Sequence, residues 1–185
     1  MPLQEEIQRV IEEKTSSGML RHYRERLNTM VYETITTPLG TPFGDCRLID
    51  IAPSQSMPEM GFEMGLGGHL QNIKVASIGK ILRKFIAAED PLARYADVLC
   101  GPAFDIPVRG ILTGSVDAVL GLPGSQTENP RLAICDYKSN RLHTPGASDP
   151  LQAYAPERLL EVMAHHHYPL QAILYGTALF RMLRW

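Results

Sequence analysis

Apolar positions along this chain change period several times, and the changes outline a protein of alternating helices and strands. From Leu3 to Lys14, Ile7, Val10 and Ile11 fall at helical spacing among charges, and the cluster Thr15-Ser16-Ser17-Gly18 ends the segment. The same period predicts helices from Leu20 to Tyr32 and, with a clear polar face, from Ser77 to Ala87. Strand-like runs of apolar and β-branched residues, bounded by Gly, Pro and polar turn signals, cover Glu59 to Leu66, Gly114 to Val119 and Leu132 to Asn140. The last two are joined by a Pro, Gly, Ser, Gln and Asn loop from Leu122 to Pro130, so they read as a hairpin. After Pro169, an allowed early proline, Leu170 to Leu183 has helical composition and period.

Between these elements the chain is rich in breakers. Thr36 to Pro58 carries Pro38, Pro42 and Pro53, and Leu142 to Pro156 carries Pro145, Gly146 and Pro150, which suggests a mobile loop beside the candidate site on the hairpin. The expected architecture is an α/β domain with a central mixed β-sheet flanked by helices. Residues 1–58 would be a helical, loop-rich lead-in and residues 59–185 the core. No repeat, transmembrane span or low-complexity tract is visible.

Composition narrows the classes. With 185 residues, 44% of them hydrophobic and 21% charged, the chain has the make-up of one soluble globular domain. A formal charge of -2 offers nucleic acid no overall attraction, so any contact with it must use a local patch or a bound cation. Lys74, Lys80, Arg83 and Lys84 could form such a patch, although a solvated helix face explains them equally well. Arg181 and Arg184 are cations at a favourable helix end. Cys46, Cys100 and Cys135 show no paired spacing, and without a signal peptide they point to a reducing cytoplasm. Three cysteines also exclude a four-cysteine iron–sulfur cluster, and Cys135 reads as a small buried hydrophobe. His165, His166 and His167 are adjacent and point in different directions, so a polar helix end fits them better than a metal site. Gly65, Gly67 and Gly68 lack the Lys-Ser/Thr pair of a phosphate loop and read as a turn.

The candidate chemistry lies on the hairpin. Asp117 interrupts one apolar strand, and Asp136 and Lys138 interrupt its neighbour, two residues apart and so on the same face. An isolated Asp-x-Lys is usually an exposed charge pair. Charges inside apolar strands are costly, however, unless they are paired or hold a metal. Two carboxylates can hold a hard divalent cation, with magnesium the natural candidate for an all-oxygen site, and such an ion neutralises a phosphodiester and activates water. A lysine beside one ligand can orient that water or stabilise developing charge. Gln171 and Tyr175, four apart, share one face of the last helix, where they either join the site or belong to an ordinary half-buried stripe.

The ordered set Gly114-x-x-Asp117, Asp136-Tyr137-Lys138-Ser139-Asn140 and His166-x-Tyr168-x-Leu170-Gln171-x-x-x-Tyr175 resembles the carboxy-terminal nuclease domain of RecB subunits of RecBCD helicase-nucleases, within the PD-(D/E)XK superfamily. Weaker matches are Glu59-Met60-Gly61-Phe62 and Thr37-Pro38-Leu39. The resemblance implies metal ligation by Asp117, Asp136 and the backbone carbonyl of Tyr137, catalysis by Lys138, and a supporting or DNA-contacting role for Gln171 and Tyr175. It also implies Mg2+-dependent hydrolysis of DNA in double-strand-break repair and recombination. The implied partners are DNA, RecC-like and RecD-like subunits and a RecA-like recombinase. The family's upstream histidine would fall before Met1, and its next strand would follow Trp185, so the core is expected to be truncated at both ends. The competing expectation is a nuclease-inactive fragment or docking module that binds DNA or protein without cutting.

Overall fold

The structure, a computed structural model, describes residues 2–16, 18–66, 73–124, 130–146 and 148–184. Its helices are α1 (Leu3–Lys14), α2 (Arg24–Thr36), α3 (Ala76–Phe85), α4 (Ala93–Leu99), α5 (Pro156–His165) and α6 (Tyr168–Leu183), and its strands are β1 (Ser56–Leu66), β2 (Gly110–Gly121) and β3 (Leu132–Cys135). The strands form one sheet in the order β1-β2-β3, with short 3-10 turns filling the breaker-rich stretches. The expected α/β class and helix-accompanied sheet are therefore present.

The chain divides into two units, Met1–Pro58 with Ala118–Cys135, and Glu59–Asp117 with Asp136–Trp185. In the first, α1 buries Ile7 and Ile11, carries Glu5 and Glu6 in its first turn and ends on Lys14, charges that suit the helix dipole at each end. Thr15 is the buried polar residue that finishes this helix. Its hydroxyl donates to the Ile11 carbonyl at 2.6 Å, and it receives Arg24 Nε at 2.8 Å, which ties the start of α2 to the end of α1. The β2–β3 ladder is antiparallel and runs from Ala118 opposite Cys135 to Gly121 opposite Leu132; the Leu122 N–H donates to the Arg131 carbonyl one step further. Ala118, Leu120, Leu122 and Ala133 form an apolar cluster against which Cys46, Leu48, Ile51 and Cys135 pack. Cys135 is thus a small apolar filler, half-buried at the edge of that cluster. Residues 125–129 of the hairpin loop lie outside the described residues, as do Gly67 and Gly68 of the expected glycine turn.

In the second unit α3 and α4 form a tight helical pair. A Cβ on Gly79 would lie 2.8 Å from the Ala96 carbonyl oxygen and 2.9 Å from Leu99 Cβ, so only glycine permits this approach. Tyr95, Ala96 and Leu99 of α4 are buried. At seven residues α4 is too short to display a helical period, so the sequence pattern does not reveal it. Helix α5, opened by Pro156 with Glu157 in its first turn, follows the breaker-rich loop that starts at Leu142. Two further differences concern boundaries. The second helix begins at Arg24 after a 3-10 turn, and β3 ends at Cys135 instead of continuing through Asn140.

Candidate active site

All six residues singled out for chemistry lie in the second unit, where β2 ends its share of that unit at Asp117 and the chain re-enters at Asp136. Extending the hairpin register by one residue sets Asp117 opposite Asp136. The extension is made by a side chain: the Tyr137 N–H donates to Asp117 Oδ2 at 2.7 Å, a charge-assisted bond that fixes the carboxylate and stops the ladder. Val116, just before it, is fully buried and anchors this part of β2 in the apolar interior.

Because β3 has ended, strand alternation no longer dictates where Asp136 and Lys138 point. They meet all the same. Lys138 Nζ is in ion-pair contact with Asp136 Oδ2, with the two side chains 33% and 20% exposed, well below a free surface pair. Tyr137 between them is exposed. Burial opposes the Lys138 charge, but the hydrogen bond and charge of Asp136 outweigh it and hold the ammonium pKa above its ordinary value.

Helix α6 closes the arrangement. His167 sits at its N-terminus in the left-handed region, with φ of 57°, and its carbonyl accepts the Leu170 and Gln171 N–H groups. Its ring lies edge-on to Phe104, with Nδ1 3.3 Å from the Tyr95 hydroxyl, so the turn is held by aromatic packing. One turn later Gln171 accepts from Lys138 Nζ at 2.9 Å and donates through Nε2 to the Tyr175 hydroxyl at 2.8 Å. The chain Asp136, Lys138, Gln171, Tyr175 is therefore continuous, and Asp117 joins it through the backbone of Tyr137.

Three residues without an assigned role complete the surroundings. Phe62 of β1 meets the Tyr175 ring edge-on, with centroids 5.9 Å apart. Gly114 makes room for it, since a Cβ there would lie 2.6 Å from Phe62 Cζ. Tyr168, first residue of α6, lies under Lys138 and donates to Asn140 Oδ1 at 2.8 Å. Each occupies a position in the matched motifs, so the signal is present, but nothing in spacing alone assigns an aromatic face to a partner.

Other candidates resolve differently. Of the four cations considered as a basic patch, Lys74, which precedes α3, is bound to both oxygens of Asp105 at 2.7 Å, and Arg83 on α3 is bound to Asp97 at 2.6 Å, so these two charges are already paired. His165 ends α5, His166 caps it, and His167 caps the start of α6, so the three form a polar helix junction as their adjacency suggests. Among the described residues no group of three His, Cys, Asp or Glu side chains gathers around one point.

This geometry defines a class: an α/β protein carrying an aspartate pair and a lysine at the end of a β-hairpin, braced by a helix. No family model matches the chain. Known proteins do. It is 41% identical over 155 residues to RecBCD enzyme subunit RecB of Mycobacterium tuberculosis, a match covering 80% of this chain and 13% of that protein. RecB of Mycolicibacterium smegmatis is 37% identical over 154 residues, covering 80% and 14%, and RecB of Escherichia coli 27% over 164 residues, covering 88% and 12%. The chain is a RecB homologue, and it spans about an eighth of the length of these relatives.

Proposed function

We propose that the chain is the nuclease module of a RecB-type protein, of the PD-(D/E)XK kind, and hydrolyses DNA phosphodiester bonds with Mg2+. The observation that carries this reading is the hydrogen-bonded run from Asp117 through Tyr137, and from Asp136 through Lys138 and Gln171 to Tyr175. A merely solvated charge pair needs no such bracing. The similarity to RecB adds independent support.

The donors suit a hard cation. Asp117 and Asp136 offer carboxylate oxygens, the Tyr137 carbonyl would add a third, and an ammonium already rests on Asp136. Mg2+ bound there would neutralise phosphate charge and lower the pKa of a water. The protein's own groups do the rest. The Tyr137 N–H holds Asp117 in one orientation, which lowers the entropy lost when the carboxylate takes up a ligand. Lys138, whose charged form Asp136 favours, presents positive charge to a phosphate oxygen as negative charge develops on it. Gln171 keeps Nζ from swinging to solvent, and Tyr175 keeps Gln171 in place.

By the same reading the substrate is DNA, and the relatives' name, RecBCD enzyme subunit RecB, supports assembly in a RecBCD-like complex; the reading extends to RecC-like and RecD-like subunits, a RecA-like recombinase and the cytoplasm. Among the described residues no helix is long and apolar enough to cross a membrane.

The test is release of nucleotides from linear DNA in Mg2+. Wild type should cut and chelation should stop it. Lys138→Ala and Asp136→Asn should each lose at least about a hundredfold in rate, with circular dichroism unchanged. Wild type that binds DNA without cutting would replace this reading with the docking module.

A further inference from the structure

The N-terminal residue of α6, Tyr168, carries no role in the proposed chemistry, yet its ring lies against the one residue for which position matters most. Lys138 Nζ is 4.5 Å from the centre of the Tyr168 ring, inside the range in which a cation is drawn to an aromatic face. The ring is held at its hydroxyl and by stacking. Its hydroxyl donates to Asn140 Oδ1 at 2.8 Å, and the His166 ring stacks on it at 5.5 Å with planes only 20° apart. The backbone is held too, because His167 immediately before it is lodged against Phe104 and Tyr95. Lys138 and Asn140 stand two residues apart in one segment, so that segment grips the ring at its face and at its hydroxyl.

From this arrangement we infer that Tyr168 is a positioning residue for Lys138. The inference rests on the proposed nuclease reading. A lysine side chain has four rotatable bonds and loses a large rotamer entropy when fixed. Asp136 and Gln171 each hold Nζ by directional contacts to oxygen. If Asp136 takes a metal ion, its hold on Lys138 weakens, because the carboxylate then shares its charge. The Tyr168 face has no such competitor, since a ring quadrupole attracts the ammonium without ligating Mg2+. Tyr168 thus keeps Lys138 beside the reacting phosphate while its carboxylate partner is engaged. The hydroxyl-to-Asn140 bond sets where the ring lies, and the face does the holding.

The experiment uses the 185-residue chain, Mg2+ and a linear DNA substrate. Tyr168→Leu should lower kcat by about 10-fold with little change in KM, the size expected for loss of a part-buried cation–π contact. Tyr168→Phe, which keeps the face, should stay within about 3-fold of wild type. Tyr168→Leu in a Lys138→Met background should cost nothing more, because the two residues act as one unit. Fluorinated phenylalanines at position 168, which keep the shape and drain the ring face of charge, should lower kcat stepwise with fluorine number; this series remains informative even where Tyr168→Leu fails to fold. A flat fluorine series, a Phe variant as slow as Leu, or an undiminished effect of Tyr168→Leu in the Lys138→Met background overturns the inference while leaving the nuclease reading intact. A wild-type chain that does not cut DNA overturns the nuclease reading itself.

Discussion

Two stretches of the same hairpin are held by opposite means. From Ala118 to Gly121 and from Leu132 to Cys135 the backbone ladder is complete and the cluster around it is apolar, with Ala118, Leu120, Leu122 and Ala133 buried. At Asp117 and from Asp136 to Asn140 the ladder has stopped, and side chains hold the backbone and each other: Asp117 takes the Tyr137 N–H, Asp136 takes Lys138, and Asn140 takes Tyr168. The first stretch is stabilised by removing apolar surface from water, a non-directional effect. The second is ordered by directional bonds that add little net stability each but fix geometry. A fold can therefore place reactive groups where its ladder ends, because there the groups can face outward for chemistry without leaving buried polar atoms unpaired.

The contrast can be broken from either side. The largest stability effect is expected in the apolar stretch. Leu120→Ala, which leaves a cavity beside Ala133 and Leu122, should cost about 3 kcal/mol in urea unfolding, whereas Lys138→Ala should cost under about 1 kcal/mol and lower the cleavage rate by at least about a hundredfold. Equal stability losses for the two would mean that the polar stretch is structural rather than chemical. A smaller effect sharpens the boundary. Gly114→Ala forces the Phe62 ring away from its seat against Tyr175, and a ring edge can yield. It should lower kcat by about 3- to 10-fold, comparable to one aromatic contact, and shift the melting temperature by only a few degrees. A melting temperature that collapses while kcat holds would show that Phe62 serves packing alone.

Much of the candidate site is legible in the amino-acid sequence. Asp117, Asp136 and Lys138 stand out because charge amid apolar strand residues needs a reason, and Gln171 and Tyr175 because four residues along a helix share a face. The structure brings all of these together through Tyr137 and Gln171. The pattern misleads on how Asp136 and Lys138 come to meet: it suggests a strand through Asn140, but β3 ends at Cys135 and the pair meets by ionic contact. Phe62, Gly114 and Tyr168 gain roles only from the fold, because an aromatic face finds its partner through tertiary distance, which no local period encodes. Helix α4 is hidden for a simpler reason, since two turns show too little of a 3.6-residue repeat to separate it from loop.

On the proposed reading Asp117 and Asp136 together hold a divalent cation, and that binding can be measured without DNA or turnover. Titrating the chain with Mn2+ and counting free ion by its electron paramagnetic resonance spectrum should reveal a site that Mg2+ displaces. That site should be lost in Asp117→Asn and in Asp136→Asn and kept in Lys138→Met. Mn2+ that remains free at every protein concentration, or that binds the two asparagine variants as well as it binds the wild type, would rule out a cation site on this aspartate pair.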